Sequence, residues 1–483
     1  MSARSACPRP LRRLAPLLAA LALAGLSACG TVGPDYRLPP AAKSRQTEAQ
    51  APFLSAASAP AAVSLAPLPP HWWRLYREEQ LDALVEQALQ ANTDLRVAQA
   101  HLQHARAVRE EVDAERGPHA SASLAVQRAQ ESGEAYLLPE KLPVTDEGDA
   151  GLRVAYQLDL FGQLARAEEL ARAQQQASEA ALDLVRTHVA AQTVAAFVQG
   201  CAATLEQRDG QQALDLQLRR VEVARRLDAA GRLSALELGH AEAEAEALRA
   251  RLPAFEARRA EAHFRLAALL GLTPRELPAE RSRCNALPGL DSPLPVGDGA
   301  ALLRRRPDVR EAERGLAAAT ARIGVAMGEL YPHVTLGASA GVTGVLSDLG
   351  QSSTVRWGLG PLISWHIPDS AARARVRGAQ ADAQAALARF DGTVLTALRE
   401  TETALSRYGH DLDALADLKA ARERAGWLAQ QNQRLHEAGR APLLSQLDAQ
   451  RGLLSARSAL TVAQAQVAQD EVQLFWALGG GWE

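Results

Sequence analysis

The 483-residue sequence is poor in aromatic residues, at 4%, and has only two Met, although 47% of it is hydrophobic. A thick globular core draws on bulky side chains, so this balance points to long Ala-rich helices. Beyond the N-terminal region no stretch reaches about 18 uninterrupted apolar residues, which argues against a membrane-spanning helix. Any membrane passage must use strands. A dominant charge sign is missing too: Lys and Arg run mixed with Asp and Glu to a net charge of -3, and no basic stripe carries interleaved aromatics. That argues against nucleic acid as a partner. No Ser/His/Asp set, phosphate-cradling Gly loop or paired-carboxylate motif occurs, so there is no catalytic residue to name and the reading is not an enzyme. His101 and His104 stand three residues apart with no third ligand nearby; they read as solvated helix positions, with neither metal nor cofactor.

Cysteine is scarce, with four in all. The first is lost with a leader: Arg4, Arg9, Arg12 and Arg13 precede the apolar run Leu14 to Leu26, too short to span a bilayer, which reads as a signal peptide over residues 1–28. Leu26-Ser27-Ala28-Cys29 resembles the lipobox of bacterial lipoproteins. The resemblance implies that Cys29 becomes the mature first residue and carries covalent lipid, including palmitate. Gly30 in place of Asp implies sorting to the outer membrane. Residues 29–77 then form a lipidated, extended N-terminal segment.

The chain repeats itself. Asp94, Arg96, Ala98, Leu102 and Pro118 recur as Asp308, Arg310, Ala312, Leu316 and Pro332, an offset of 214. Leu227, Gly231, Arg232, Leu236 and Gly271 recur as Leu435, Gly439, Arg440, Leu444 and Gly479, an offset of 208. Two copies of one unit follow, over 78–272 and 300–483, separated by a Pro-rich linker over 273–299.

Each copy holds two segments that alternate with period two, near 118–128 and 151–160 in the first and near 332–343 and 354–367 in the second. Leu124, Val126, Leu152 and Val154 oppose Ser121, Ser123, Gln127 and Arg153; Leu336, Ala338, Trp357 and Leu359 oppose Thr335, Ser339, Arg356 and Ser364. These are four amphipathic strands of about the ten residues that a tilted membrane strand needs. Four strands cannot close a barrel, and an open edge has no hydrogen-bond partner in lipid, so several chains must pool their strands. Glu131 to Asp149 and Gly344 to Ser353 are the loops between partners.

Elsewhere the composition is helical. Phe161 to the turn at Gly231 spans about 105 Å at 1.5 Å per residue, Leu233 to Gly271 returns about 57 Å, and Ala300 to Leu330 adds about 47 Å. Asp369 to Ala438 and Leu443 to Leu478 repeat the descent and return, with Glu78 to Arg116 supplying the missing part. The linker therefore belongs at mid-height, as a belt around a helical cylinder. Pro253 should bend its helix. Leu214, Leu218 and Val221, like Leu182, Val185 and Val189, have coiled-coil spacing. Counted along these helices, Cys201 and Cys284 fall at similar height in an oxidising compartment, as a disulfide or as two free buried thiols.

Five stretches in order carry a family resemblance: Gly33-Pro34-Asp35-Tyr36, Leu158-Asp159-Leu160-Phe161-Gly162, Leu302-Leu303-Arg304-Arg305-Arg306-Pro307-Asp308-Val309, Leu447-Asp448-Ala449-Gln450-Arg451, and Ala477-Leu478-Gly479-Gly480-Gly481-Trp482. The chain resembles the outer membrane factor family, the TolC- and OprM-like exit ducts, in its NodT-type lipoprotein branch. Trp365-His366-Ile367-Pro368-Asp369 departs from the family, which usually has an aromatic and glycines there. The resemblance implies a mainly α protein with a membrane β-barrel, built as a homotrimer with twelve pooled strands above a periplasmic helical tunnel. It also implies a periplasmic adaptor and an inner-membrane transporter as partners, in efflux or export.

A duct needs a closed resting state. At the 208 offset Leu236 matches Leu444, but Asp448 falls on His240 and Arg451 on Ala243, so only the second hairpin has an acid and a base on one helix face. The resemblance places an apolar constriction at Leu444 and charged gate contacts at Asp448 and Arg451. It also assigns adaptor contact to the two tips, Gly231-Arg232-Leu233-Ser234 and Gly439-Arg440-Ala441-Pro442.

Overall fold

The computed structural model describes residues 31–480 apart from 59–60, 283, 285, 291 and 368–369. The expected signal peptide, Cys29, Pro368, Asp369 and the last three residues lie outside the described residues.

Eight helices of seven or more residues stand among the described residues: α1 (Glu79–Ala91), α2 (Thr93–Glu115), α3 (Gln163–Ala229), α4 (Ala235–Leu269), α5 (Gly299–Arg305), α6 (Pro307–Gly328), α7 (Ser370–Glu437) and α8 (Leu443–Ala477). The duplication appears as matched lengths. Helices α3 and α7 have 67 and 68 residues, and α4 and α8 have 35 each. Four long strands accompany them: β1 (His119–Ala129), β2 (Thr145–Leu158), β3 (His333–Val345) and β4 (Val355–Ser364). Strand β2 begins at Thr145, so the first loop is shorter than its sequence suggests, and β4 stops at Ser364, short of Trp365 to Ile367.

Two compact units divide the chain. In the first, comprising residues up to 38, 103–177 and 313–388, the strands form one antiparallel sheet of order β1-β2-β3-β4. Its register sets Leu152 opposite Ala122 and Ala340, and Ala340 opposite Trp357. Because side chains alternate, one register places the whole apolar set on a single face. That face is bare: Leu124 is 78% exposed, and Trp357 and Leu359 80% each. On the other face Arg356 bonds both carboxylate oxygens of Asp149 at 2.8 Å, and Thr343 bonds Asp149 as well.

The second unit holds 39–102, 178–312 and 389–483, and with them the main core. Trp72 stacks on Phe475 with ring centroids 4.4 Å apart, among fully buried Trp73, Leu81, Phe197, Leu266 and Leu302. The linker is built into this unit: Leu294 and Val296 are fully buried, and Val63 and Ser64 pair in parallel with Leu294 and Pro295.

Two helices expected to be continuous are broken. Asn92 separates α1 from α2 with an extended backbone. Its side-chain oxygen accepts from the Asp94 and Leu95 amides at 2.9 and 3.3 Å, a cap for the new helix. Arg306 separates α5 from α6, since Pro307 disfavours helical dihedrals in the residue before it. The buried Arg306 guanidinium binds Asp308, Glu400 and the Ala477 carbonyl, which accounts for the Arg-Pro-Asp motif. By contrast α4 runs uninterrupted through Pro253.

Candidate functional site

The site lies in the second unit, where hairpin α3/α4 meets hairpin α7/α8. Leu214, Val221, Ala241 and Ala245 are buried between α3 and α4, and Gln217 donates to the Ala241 carbonyl at 2.9 Å. Leu214 and Val221 are seven residues apart, a heptad step along the seam, and Leu218 turns outward at 40% exposure.

Asp448 and Arg451 share one face of α8, but their partners lie on the other hairpin. Arg220 of α3 reaches Asp448 at 3.4 Å and Glu244 of α4 at 3.6 Å. Arg451 donates to both Glu244 oxygens, at 2.9 and 3.1 Å. The result is an alternating chain of four charges, Asp448, Arg220, Glu244 and Arg451, that joins three helices across a cavity of about 980 Å³. All four are partly exposed. Such bridges are therefore weak individually, at roughly 0.2 to 1 kcal/mol. Sequence reasoning missed Arg220 and Glu244. The copy comparison held the signal, because at the 208 offset they fall on Leu428 and Gly452. Leu444 sits half-buried one turn nearer the tip, and His240 is exposed.

Each tip ends its descending helix in the same way. Gly231 and Gly439 both have φ of +68°, which favours glycine, and a substituent Cβ on either would meet nothing within 4 Å. The backbone amide of Arg232 donates to the Leu227 carbonyl at 2.8 Å and that of Arg440 to the Leu435 carbonyl at 2.7 Å, satisfying carbonyls near the helix ends. The restarts differ. Ser234 and Glu237 form a reciprocal capping box, whose backbone and side-chain bonds hold the Glu237 carboxyl below its ordinary value. Pro442 opens α8 with no side-chain cap. Gly231, Arg232, Ser234, Gly439, Arg440 and Pro442 are exposed, and Leu233 and Ala441 half-exposed.

Cys201 of α3 and Cys284 of the linker are joined as a disulfide, with Cα atoms 5.4 Å apart. His101 and His104 are exposed on α2, and no group of three or more His, Cys, Asp or Glu suited to a metal occurs among the described residues. No described helix is long and apolar enough to cross a membrane.

The family described as outer membrane efflux protein matches residues 84–272 and again 300–480. The toluene efflux pump outer membrane protein TtgI of Pseudomonas putida is 30% identical over 97% of this chain and 98% of its own length. The probable outer membrane lipoprotein SilC of Salmonella typhimurium is 28% identical over 95% of this chain and 96% of its own length. Among solved structures, the outer-membrane channel OprN superposes with a TM-score of 0.83 at 37% identity, covering 94% of this chain and all of OprN.

Proposed function

The chain belongs to the outer membrane efflux protein family, and on that premise we propose that three copies assemble into the exit duct of a tripartite efflux or export system. The carrying observation is the open four-stranded sheet, whose apolar face is bare and whose outer strands each leave one edge unpaired. In lipid such edges need partners, and pooling twelve strands closes them into a barrel. The helical hairpins then form the periplasmic portion, with coiled-coil packing.

Cys29 carries covalent lipid and anchors the protein in the outer membrane, a reading supported by the likeness to SilC, itself named a lipoprotein. The gate lies at Leu444, Asp448 and Arg451, closed by the Arg220 and Glu244 bridges between hairpins. The exposed tips at Gly231 to Ser234 and Gly439 to Pro442 meet a periplasmic adaptor, which connects the duct to an inner-membrane transporter. No step of this function is catalytic. Cell fractionation and planar-bilayer recording test the reading: heat-resistant trimers in the outer-membrane fraction and discrete conductance steps are expected. Recovery as a soluble periplasmic monomer would overturn it.

A further inference from the structure

Three cations, Arg208, Lys419 and Arg422, take no part in the gate or the tips. With α8 and the linker they line a second cavity, of about 630 Å³, that lies wholly within the second unit. One wall is a stripe of α7: Tyr408, Leu412, Leu415, Lys419 and Arg422 are spaced by four and three residues and so share a helix face. The facing stripe of α8 is Arg457, Leu460, Gln464, Val467 and Glu471. Both stripes span about 21 Å, from 408 to 422 and from 457 to 471. The two helices run in opposite directions from the turn at Gly439, so Arg422 and Arg457 share one end and Tyr408 and Glu471 the other. Helix α3 adds Leu205 and Arg208, and Cys201, one turn before Leu205, is bonded to Cys284. That bond ties down the linker, whose Leu287 and Leu290 form the remaining wall.

The chemistry is graded along the cavity. At one end Arg457 is neutralised by Asp209 at 3.0 Å. Arg208, Lys419 and Arg422 are exposed there and make no ion pair among the described residues, with Glu423 the one carboxylate lining that end. The middle is apolar, with Leu205, Leu415 and Val467 buried. At the far end Glu471 is 5% exposed, and its Oε2 has no hydrogen-bond partner among the described residues. Burial pushes that carboxyl up to about 7, so at lower pH it is a neutral group able to donate or accept. The other copy lacks these groups: at the 208 offset Lys419, Arg422 and Glu471 fall on Gln211, Leu214 and His263.

We propose that this cavity binds an elongated amphipathic anion, its carboxylate or sulfonate held by Arg208, Lys419 and Arg422, its apolar body on Leu205, Leu415 and Val467, and its far end against Glu471. A cationic amphiphile would meet three like charges at the open end. The ends also fix direction, because an anionic head placed beside Glu471 would find no counter-charge there. The site is complete within one unit of one chain, so it depends on neither the trimer nor the gate.

The full chain in nanodiscs of zwitterionic lipid is titrated with octanoate, decanoate and dodecanoate, binding being read by saturation-transfer NMR with empty discs as the blank. Affinity should rise about fourfold for each methylene buried. Lys419→Ala with Arg422→Ala, at exposed positions that the fold does not need, should weaken dodecanoate about tenfold for each charge-assisted hydrogen bond lost. Arg424→Ala removes an exposed cation of α7 that does not line the cavity, and should leave binding unchanged. In the parent 12-hydroxydodecanoate should bind at least as tightly as dodecanoate, since Glu471 meets the hydroxyl, and Glu471→Leu should reverse that order. Binding that is absent from the parent, indifferent to chain length, or weakened equally by Arg424→Ala would overturn the site. An order of the two twelve-carbon acids that Glu471→Leu leaves unchanged would overturn the placement of the far end.

Discussion

Raising the pH from 5 to 8 should weaken the second unit, and two adjacent residues of α8 account for the size of the effect. Asp470 and Glu471 are 3% and 5% exposed. Burial, then Asp411 of α7 facing it, pushes the Asp470 carboxyl up to about 7 from an ordinary 3.8, against the weaker pull of Gln466 and Arg407. Burial likewise pushes Glu471 from 4.5 to about 7; the Tyr76 hydroxyl facing it pulls the other way. In the folded chain both acids hold protons that the unfolded chain releases. Stability is therefore full below about pH 4 and is lost as the pH climbs to about 7, where the folded groups themselves ionise. From pH 5 to about 7 the Asp470 contribution therefore falls by roughly 3 kcal/mol, about 1.4 kcal/mol per pH unit, and Glu471 contributes no more than that. Because Asp470 and Asp411 titrate as a pair, the combined loss is on the order of several kcal/mol and not a simple sum. Thermal dissociation of the detergent-solubilised protein, followed by circular dichroism across that pH range, measures it. The parent should melt lower at each step from pH 5 to 8, and Asp470→Asn with Glu471→Gln should flatten the trend. A parent equally stable at pH 5 and 8, or a double variant that keeps the slope, refutes the reasoning.

Three further outcomes follow from the other sites. Asp448→Ala with Arg451→Ala removes the bridges to Arg220 and Glu244, each worth roughly 0.2 to 1 kcal/mol but repeated three times in a trimer. Single-channel conductance should rise, further with Leu444→Ala, while His240→Ala changes it far less; the reverse pattern would move the gate to the first hairpin. Cys29→Ser should abolish palmitate labelling without dismantling the proposed trimer, whose pooled strands would hold the protein in the membrane, and label in that variant would sink the assignment. Non-reduced mass spectrometry should recover a peptide joining Cys201 to Cys284, and opening the bond, which spans 83 residues, should cost about 4.5 kcal/mol in the chain-entropy estimate. Complete alkylation of both thiols without reductant would exclude the bond.

The helix breaks illustrate why local pattern falls short. Apolar periodicity continues through Asn92 and Arg306, so both stretches read as single helices. At Asn92 a side chain caps the new helix and also donates to the Leu269 carbonyl at 3.1 Å. At Arg306 a guanidinium is held by groups more than 90 residues away. A propensity summed along the chain contains neither partner.

What the sequence by itself determined is what repeats or alternates: the two copies, the matched long and short helices, four strands with one apolar face, and the glycines at the tips. These follow from short-range geometry, a period of two or 3.6 and a positive φ, which neighbouring residues specify. Only the tertiary structure decided which groups meet. Arg220, Glu244, Asp448 and Arg451 come from three helices, and Arg166 closes on a segment more than 130 residues earlier. An ideal helix drifts by about 20° per heptad against its seam, so over several heptads spacing alone loses track of which face a charge occupies. Packing against the neighbouring helix restores that phase, and only the folded chain supplies it.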